Sequence, residues 1–311
     1  MIVRNKPDKN ILFSAIAGLI ILSLLFMPFA ADSLWWREVF NSGHTILFVV
    51  ISSVLYFRLS ATVRFSNSAI IYLIVLVTGL LLGIAIEVLQ GLLQREASVN
   101  DLYRNFFGII SGLGLVSLRR QKSLYNKMLM AMFSLGFLLL GTCSLFQISW
   151  HYIQRANAFP VILDFNAEWS DSFVRFNRTE MEIFSSRAGD KNRLFHIRFD
   201  TGIYPGITII EPVADWSAYR NLRFKVASGA KDDTNLILRI HDKNHDNNYQ
   251  DRFNQKLVLH PGLNEIVIPL DQIKKGPVSR DLDLANIAGL ILFLGKVERP
   301  QMLEISNIYL D

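Results

Sequence analysis

The chain has 311 residues, 51% of them hydrophobic and 19% charged, with a net charge of +5; it is longer and more apolar than one average globular domain requires. The charge is unevenly spread: residues 1–154 hold 12 Lys/Arg against 6 Asp/Glu, whereas residues 155–311 hold 20 against 21. The basic excess therefore belongs to the apolar half and is no argument for nucleic acid, while the single cysteine, Cys143, excludes a disulfide within the chain.

Arg4, Lys6 and Lys9 precede an apolar run over 11–31, about the length a helix needs to cross a bilayer. As a secretory signal this run is long for an h-region, and Pro28 or Phe29 stands where cleavage after Ala30 or Ala31 wants a small residue. Further apolar runs predict helices over 44–60, 69–93, 102–118 and 128–148. The second and fourth are short or interrupted by Gly and Ser. Residues 1–127 are thus expected as a four-helix transmembrane domain, 128–148 as a fifth transmembrane helix and 149–158 as a polar link.

Loop charges test this count. With a cytoplasmic N-terminus, the inner segments hold Arg4, Lys6, Lys9, Arg58, Arg64, Arg119, Arg120, Lys122 and Lys127, and the outer ones only Arg37, Arg95 and Arg104. Nine against three is a strong positive-inside bias. Five spans then put everything after Trp150 on the outer side.

The same topology gathers polar residues at one depth. Glu87 and Gln90 share a helix face, and Asp101, Asn105, Gly108 and Gly112 recur at helical spacing as a polar, small-residue stripe. Ionisable groups at membrane depth are expensive and point to a site. The candidate acid–base groups are His44, Glu87 and Asp101, and Gln90, Arg95, Arg104 and Asn105 are candidates for holding an anionic head group. The structural alternative is equally concrete: Glu87 pairs with Arg95 or Arg104, Asn105 bonds across helices, and the glycines let helices approach. Spacing does not separate the two.

Gly43-His44, Glu87-x-x-Gln90, and Arg95, Ser98, Asp101, Asn105, Gly108 and Gly112 together resemble the VanZ-like family of bacterial membrane proteins over roughly residues 10–118. The resemblance implies a bacterial multi-pass envelope protein and a link to sensitivity to the glycopeptide teicoplanin. It implies no reaction. A short stand-alone member lacks the fifth helix and the long tail present here.

From Phe159 onward the pattern changes to short alternating runs between turn residues, which predicts an antiparallel β domain over 159–311. Candidate strands are Phe195–Phe199, Gly206–Glu211, Asn221–Val226, Asn235–His241, Gln255–Leu259, Asn264–Pro269, Gly289–Leu294 and Met302–Tyr309. Eight or nine strands suit a two-sheet jelly roll. The expected fold class is therefore multi-domain: an all-α transmembrane bundle of five helices followed by an all-β jelly-roll sandwich.

Asp164-Phe165 with Trp169, Asp215-Trp216 with Tyr219-x-x-Leu222-x-Phe224, His260-Pro261-Gly262-x-Asn264 and the closing Ile305-x-Asn307-Ile308-x-Leu310-Asp311 resemble the carbohydrate-binding, galactose-binding-like sandwiches. That resemblance implies sugar recognition or plain scaffolding. A polar loop from His241 to Asn254 supplies candidate ligand groups, with Tyr249, Asp251, Arg252 and Asn254 as the glycan set, since a sugar needs flat apolar faces beside planar hydrogen-bonding groups. A solvated hairpin is the plainer alternative. Trp169 and Trp216 are expected in the core.

No cofactor is expected beyond a structural Ca2+. Asp164 and Asp311 are the candidate ligands, and the 242–251 Asp/Asn run lacks the Gly and terminal Glu of an EF-hand loop. No Walker, CxxC or HExxH pattern is present.

The sequence thus predicts a multi-pass protein of the bacterial cytoplasmic membrane whose outer β-sandwich, periplasmic or extracellular, binds envelope glycan and whose polar cluster binds a lipid-linked or anionic head group. The expected partners are the lipid bilayer, an envelope glycan or lipid-linked saccharide and an envelope protein. The competing classes are an enzyme acting on a lipid-linked glycan through Glu87, His44 and Asp101, and a structural docking protein.

Overall fold

A computed structural model describes residues 33–62, 68–92, 98–182 and 194–311. The expected helix over 11–31 lies outside the described residues. The chain divides into two compact units with the boundary between Ile148 and Ser149, and each is taken by itself.

The first unit is helical: α1 (Leu34–Thr62), α2 (Ser68–Leu92), α3 (Val99–Leu118) and most of α4 (Leu124–Ala158). Among the described residues three helices, α1, α2 and α4, are long and apolar enough to cross a membrane. α1 starts at Leu34 rather than His44, because Ser33 Oγ accepts the Trp36 amide at 3.3 Å and caps a turn whose Arg37 and Glu38 hide it from hydropathy. The small-residue stripe is a packing surface: a Cβ on Gly108 would run into the Thr45 carbonyl and Phe48, and one on Gly112 into Ser52 and Val49, so α1 and α3 approach backbone to backbone. Phe48, Tyr56, Ile71, Val75, Ile86 and Ile109 form the apolar core.

Residues 149–158 are not a link but the last turns of α4. Within the second unit they are anchored: His151 Nδ1 and Ser172 Oγ are 2.7 Å apart, and the Tyr152 hydroxyl and Arg155 guanidinium donate to the carboxylate and carbonyl of Glu211. Residues with apolar stems and polar tips sustain a helix as readily as a loop.

The second unit is a two-sheet sandwich. In chain order its elements are β1 (Val161–Leu163), α5 (Glu168–Phe173), β2 (Val174–Asn177), β3 (Thr179–Glu182), β4 (Phe195–Phe199), β5 (Gly202–Ile203), β6 (Gly206–Ile210) and β7 (Asn221–Ser228). There follow β8 (Thr234–Asp242), β9 (Phe253–Leu259), β10 (Gly262–Pro269), α6 (Leu270–Lys274), β11 (Ile287–Leu294), β12 (Lys296–Val297), β13 (Gln301–Ile305) and β14 (Ile308–Leu310). A seven-stranded sheet runs β1-β14-β7-β13-β4-β3 with β10 also paired to β7, and a five-stranded sheet runs β2-β6-β11-β8-β9. The inward residues of both, such as Leu222, Phe224 and Val226 against Leu236, Leu238 and Ile240, form one core. Trp216 is buried in it as expected, and Trp169 is buried beside Phe173, outside that cluster.

Each expected strand is present, with one correction. Met302–Tyr309 is two strands, because Ser306 turns aside to exchange hydrogen bonds with the Lys225 backbone and Asn307 reaches Asp164. β1, β2 and β3 and the short α5 carry too few residues to show a period.

Candidate functional site

The polar cluster of the helical unit is set by the start of α3. Ser98 caps the helix by accepting the Asn100 amide at 3.2 Å, which puts Asp101 in the first turn, where the helix dipole favours a carboxylate. One ligand atom each from His44, Glu87 and Asp101 lie within 4.8 Å of one another. Glu87 Oε2 accepts the Ser98 amide at 3.0 Å, and His44 Nδ1 lies 3.2 Å from Asn105 Oδ1. Arg104 donates to Asp101 at 2.7 Å, Glu38 at 3.0 Å and Ser144 at 3.1 Å.

Glu87, Gln90, Asp101 and Asn105 are all buried. Of the residues expected here, His44, Glu87, Asp101, Arg104 and Asn105 are linked in this way, while Arg95 lies outside the described residues. Glu38 and Ser144 were not anticipated; Glu38 lay before the expected start of its helix. An imidazole and two carboxylates form a donor set that suits a divalent cation or general acid–base work. One oxygen of Asp101 is already held by Arg104 and one of Glu87 by the Ser98 amide.

The second candidate site is the outward face of the five-stranded sheet. Because Leu236, Leu238 and Ile240 point into the core, Arg239 and His241 point away from it. Register places Asn254 of β9 and Ile291 of β11 on either side of Arg239, and Gly289 beside His241. Gly289 leaves room for the His241 ring: a Cβ there would meet it at 2.5 Å. Arg252 immediately precedes β9, next to the Ile240–Phe253 pair that ends the β8–β9 ladder. The Arg239 guanidinium lies 5.0 Å over the Phe293 ring, whose edge contacts Tyr204 at 5.7 Å, and Arg252 lies 5.4 Å over Tyr249. Tyr204 and Tyr249 are 59% and 69% exposed, and Tyr204 holds a left-handed φ of 56°, a conformation that structure rarely tolerates without a local reason.

Three polar atoms on this face, Arg239 Nε, Arg252 Nε and Asn254 Oδ1, are buried without a hydrogen-bond partner. Burial first and the charge of Arg252 second hold Arg239 below the ordinary guanidinium value. Burial, then His245 and Arg239, hold His241 below the ordinary imidazole value, so it is neutral near pH 7. Flat rings beside planar donors lacking partners are what saccharide recognition uses.

Of the expected glycan set, Tyr249, Arg252 and Asn254 meet at this face, with Asn254 Nδ2 donating to the Tyr249 carbonyl at 3.1 Å. Asp251 belongs to a different arrangement. It is buried and receives Arg280 Nη2 at 3.0 Å and the Asp246 amide at 3.0 Å, while Arg280 also bonds Asp242. Arg239, Phe293 and Tyr204 were not anticipated; the alternation of 235–241 already marks Arg239 as outward.

The expected cation ligands do not converge. Asp164 and Asp311 stand at opposite ends of β14, on the order of 13 Å of strand apart. Asp164 accepts Asn307 Nδ2 at 2.9 Å, and Asp311 accepts Asn221 Nδ2 at 2.8 Å and Arg223 Nε. In the 242–251 run one ligand atom each from His245, Asp246 and Asp251 lie within 4.8 Å of one another. Asp246 there closes a turn by accepting the Asn248 amide and Nδ2, each at 2.8 Å.

No family model matches the chain, and no curated protein matches it. The chain is similar to solved structures over about half its length. One is a family 11 carbohydrate-binding module from Clostridium thermocellum, in complex with a β-1,3-1,4-mixed-linked tetrasaccharide, at 17% identity over 48% of this chain and 93% of that one, with a TM-score of 0.37. Two others are an agarase (16% identity, 49% of this chain, TM-score 0.37) and an exo-β-agarase (18%, 49%, TM-score 0.38). The chain covers only 26% and 24% of the length of these two enzymes.

Proposed function

We propose that this chain is a multi-pass membrane protein whose β-sandwich binds glycan on the outward face of its five-stranded sheet. The observation that carries the reading is the group of Arg239, Arg252 and Asn254, whose buried polar atoms lack partners, flanked by the exposed rings of Tyr204 and Tyr249. A buried donor or acceptor without a partner costs about 1–3 kcal/mol, and ligand hydroxyls would remove that cost.

The membrane part rests on where polarity lies in the helical unit: Leu73, Leu81 and Leu92 face outward while Ser52, Glu87, Gln90 and Asn105 are buried, the distribution a lipid solvent favours. On this reading the chain has five spans, a cytoplasmic N-terminus and a sandwich outside the bacterial cytoplasmic membrane. The polar cluster then takes a lipid-linked or anionic head group. The VanZ-like motif residues, on which that resemblance alone rests, extend the proposal to glycopeptide sensitivity.

The test is affinity electrophoresis of the full chain in a neutral detergent against a panel of soluble polysaccharides. Retardation by at least one polymer is expected, and Tyr204→Ala and Tyr249→Ala should each weaken it by about 1 kcal/mol. No retardation by any polymer would sink the reading.

A second reading is favoured by the approach of His44, Glu87 and Asp101 to within 4.8 Å: acid–base chemistry on a lipid-linked glycan. Turnover of such a lipid that survives Glu87→Gln and Asp101→Asn at unchanged membrane abundance would remove it.

A further inference from the structure

The outward face of the five-stranded sheet has a charge pattern that narrows its ligand. Alternation and register assign to it Arg175 and Asn177 of β2, Gly206, Thr208 and Ile210 of β6, and Gly289, Ile291 and Phe293 of β11. β8 adds Asn235, Ile237, Arg239 and His241, and β9 adds Asn254, Lys256 and Val258. These strands place Arg and Lys on the face and no Asp or Glu. Arg252 joins them one residue before β9.

Register sets Arg239 opposite Asn254, two residues from Arg252, so the two arginines are diagonal neighbours and the charge of Arg252 acts on Arg239. Neither forms an ion pair among the described residues, and each leaves Nε without an acceptor. The nearby acids are committed elsewhere: Asp242 and Asp251 are held by Arg280 at 2.8 and 3.0 Å. The guanidiniums are instead stabilised by ring faces, Arg239 by Phe293 and Arg252 by Tyr249, which orient a planar donor without neutralising it.

We infer that the saccharide bound here is acidic, bearing an oxyanion, as a uronate carboxylate or a sulfate ester, that is received by Arg239 and Arg252. The inference rests on the glycan-binding reading above and deepens it. A neutral sugar would satisfy the unpaired N–H groups but leave two like charges side by side. An oxyanion does both, because two guanidinium forks match its lone pairs in charge and in plane. The rings of Tyr204 and Tyr249 are then left for the apolar faces of adjoining sugar units, which is what separates a glycan from any other anion.

The experiment measures binding of the full chain in a neutral detergent to pairs of polymers that share a backbone: polygalacturonate with its methyl ester, and dextran sulfate with dextran. Polyglutamate serves as an anion without sugar. One acidic polymer is expected to bind about tenfold or more tighter than its neutral partner, and the arm in which this happens tells carboxylate from sulfate. Arg239→Gln/Arg252→Gln should abolish the difference, whereas Lys274→Gln/Lys275→Gln at the end of α6 should preserve it. Arg252→Gln alone, outside the strands, should reduce it and gives the same answer if the double variant does not fold.

Equal binding of the neutral partners overturns the inference while leaving the glycan reading in place. So does polyglutamate binding as tightly as the acidic polysaccharide. Failure of every saccharide to bind overturns the glycan reading and the inference with it.

Discussion

In the helical unit the outward residues include Leu81, Val88 and Leu92, while Thr45, Glu87, Gln90 and Asn105 are buried. In the β unit Leu222, Phe224, Leu236 and Leu238 are buried, and the strands turn Arg239, Lys256 and Glu265 the other way. Their arginines differ in the same sense. Arg104 is enclosed and satisfied by Glu38, Asp101 and Ser144, whereas Arg239 and Arg252 lie on a sheet face without an acid. The difference is the one expected if, as proposed above, one chain is patterned for two solvents. Where the surroundings are apolar, polar groups must be paired inside; where they are water, a charge left unpaired at the surface is available for a ligand.

The largest effect expected is on a closed ion-pair group of the β unit for which this contrast vanishes. Arg280 bonds Asp242, whose side chain is wholly buried, and Asp251. Arg280→Met would leave Asp242 buried without its cation, at a cost of about 4 kcal/mol, read by thermal or urea unfolding. Burial would raise Asp242, but hydrogen bonds from Arg280 and the Asp283 amide outweigh it and hold it below the usual carboxylate range. Asp251 is held low by Arg280 and the Asp246 amide. A carboxyl depressed in the folded state stabilises the fold above its unfolded value, near 3.9, and that contribution is lost as pH falls through the folded value. Wild-type stability should therefore fall away below about pH 4, and Arg280→Met should show a shallower acid limb.

The next effect tests the two solvents directly with one chemical change. Leu81, near the middle of α2, is 62% exposed, and Val278 in the β unit is 78% exposed. Replacing Val278 by Asp should alter stability by no more than about 0.5 kcal/mol. If α2 crosses lipid, Leu81→Asp should cost about 3 kcal/mol of insertion free energy, seen as loss of membrane-integrated protein. Equal tolerance of both would remove the inside-out reading of the helical unit.

How much of this was legible in the sequence follows from the range over which each feature is encoded. The strands around Leu222–Val226 and Leu236–Ile240 announce themselves because an alternation of two is written in adjacent residues. The start of α1 was hidden because Arg37 and Glu38 interrupt the hydropathy on which a span is recognised. The grouping of His44 with Glu87 and Asp101 was accessible through topology, but Arg104's partner Glu38 lies 66 positions away and no local pattern announces it. Asp251 read as a ligand because nothing nearby shows that Arg280, 29 positions on, takes its carboxylate. Arg239 is the opposite case: its outward direction is encoded locally, but its lack of a partner is a property of everything around it.

The smallest effect expected is also the one that separates an open charged face from a closed one. In the free protein His241 is held below the ordinary imidazole value by burial, then by His245 and Arg239, with Arg252 acting in the same direction and Asp242 against it. Near pH 7 it is therefore neutral. An oxyanion received by Arg239 and Arg252 would favour the imidazolium and raise its pKa in the complex. Binding must then take up a proton, so affinity should grow as pH falls through the bound-state value and level off below the free-state value. The gain should be about 1 kcal/mol, several-fold in Kd, measured with an acidic polysaccharide between pH 5 and 8. His241→Gln should flatten the profile while leaving the pH 8 affinity close to wild type, because the neutral imidazole contributes little charge there. A neutral polysaccharide should show no such profile with either protein, since without an oxyanion nothing in the complex favours a third positive charge beside two guanidiniums.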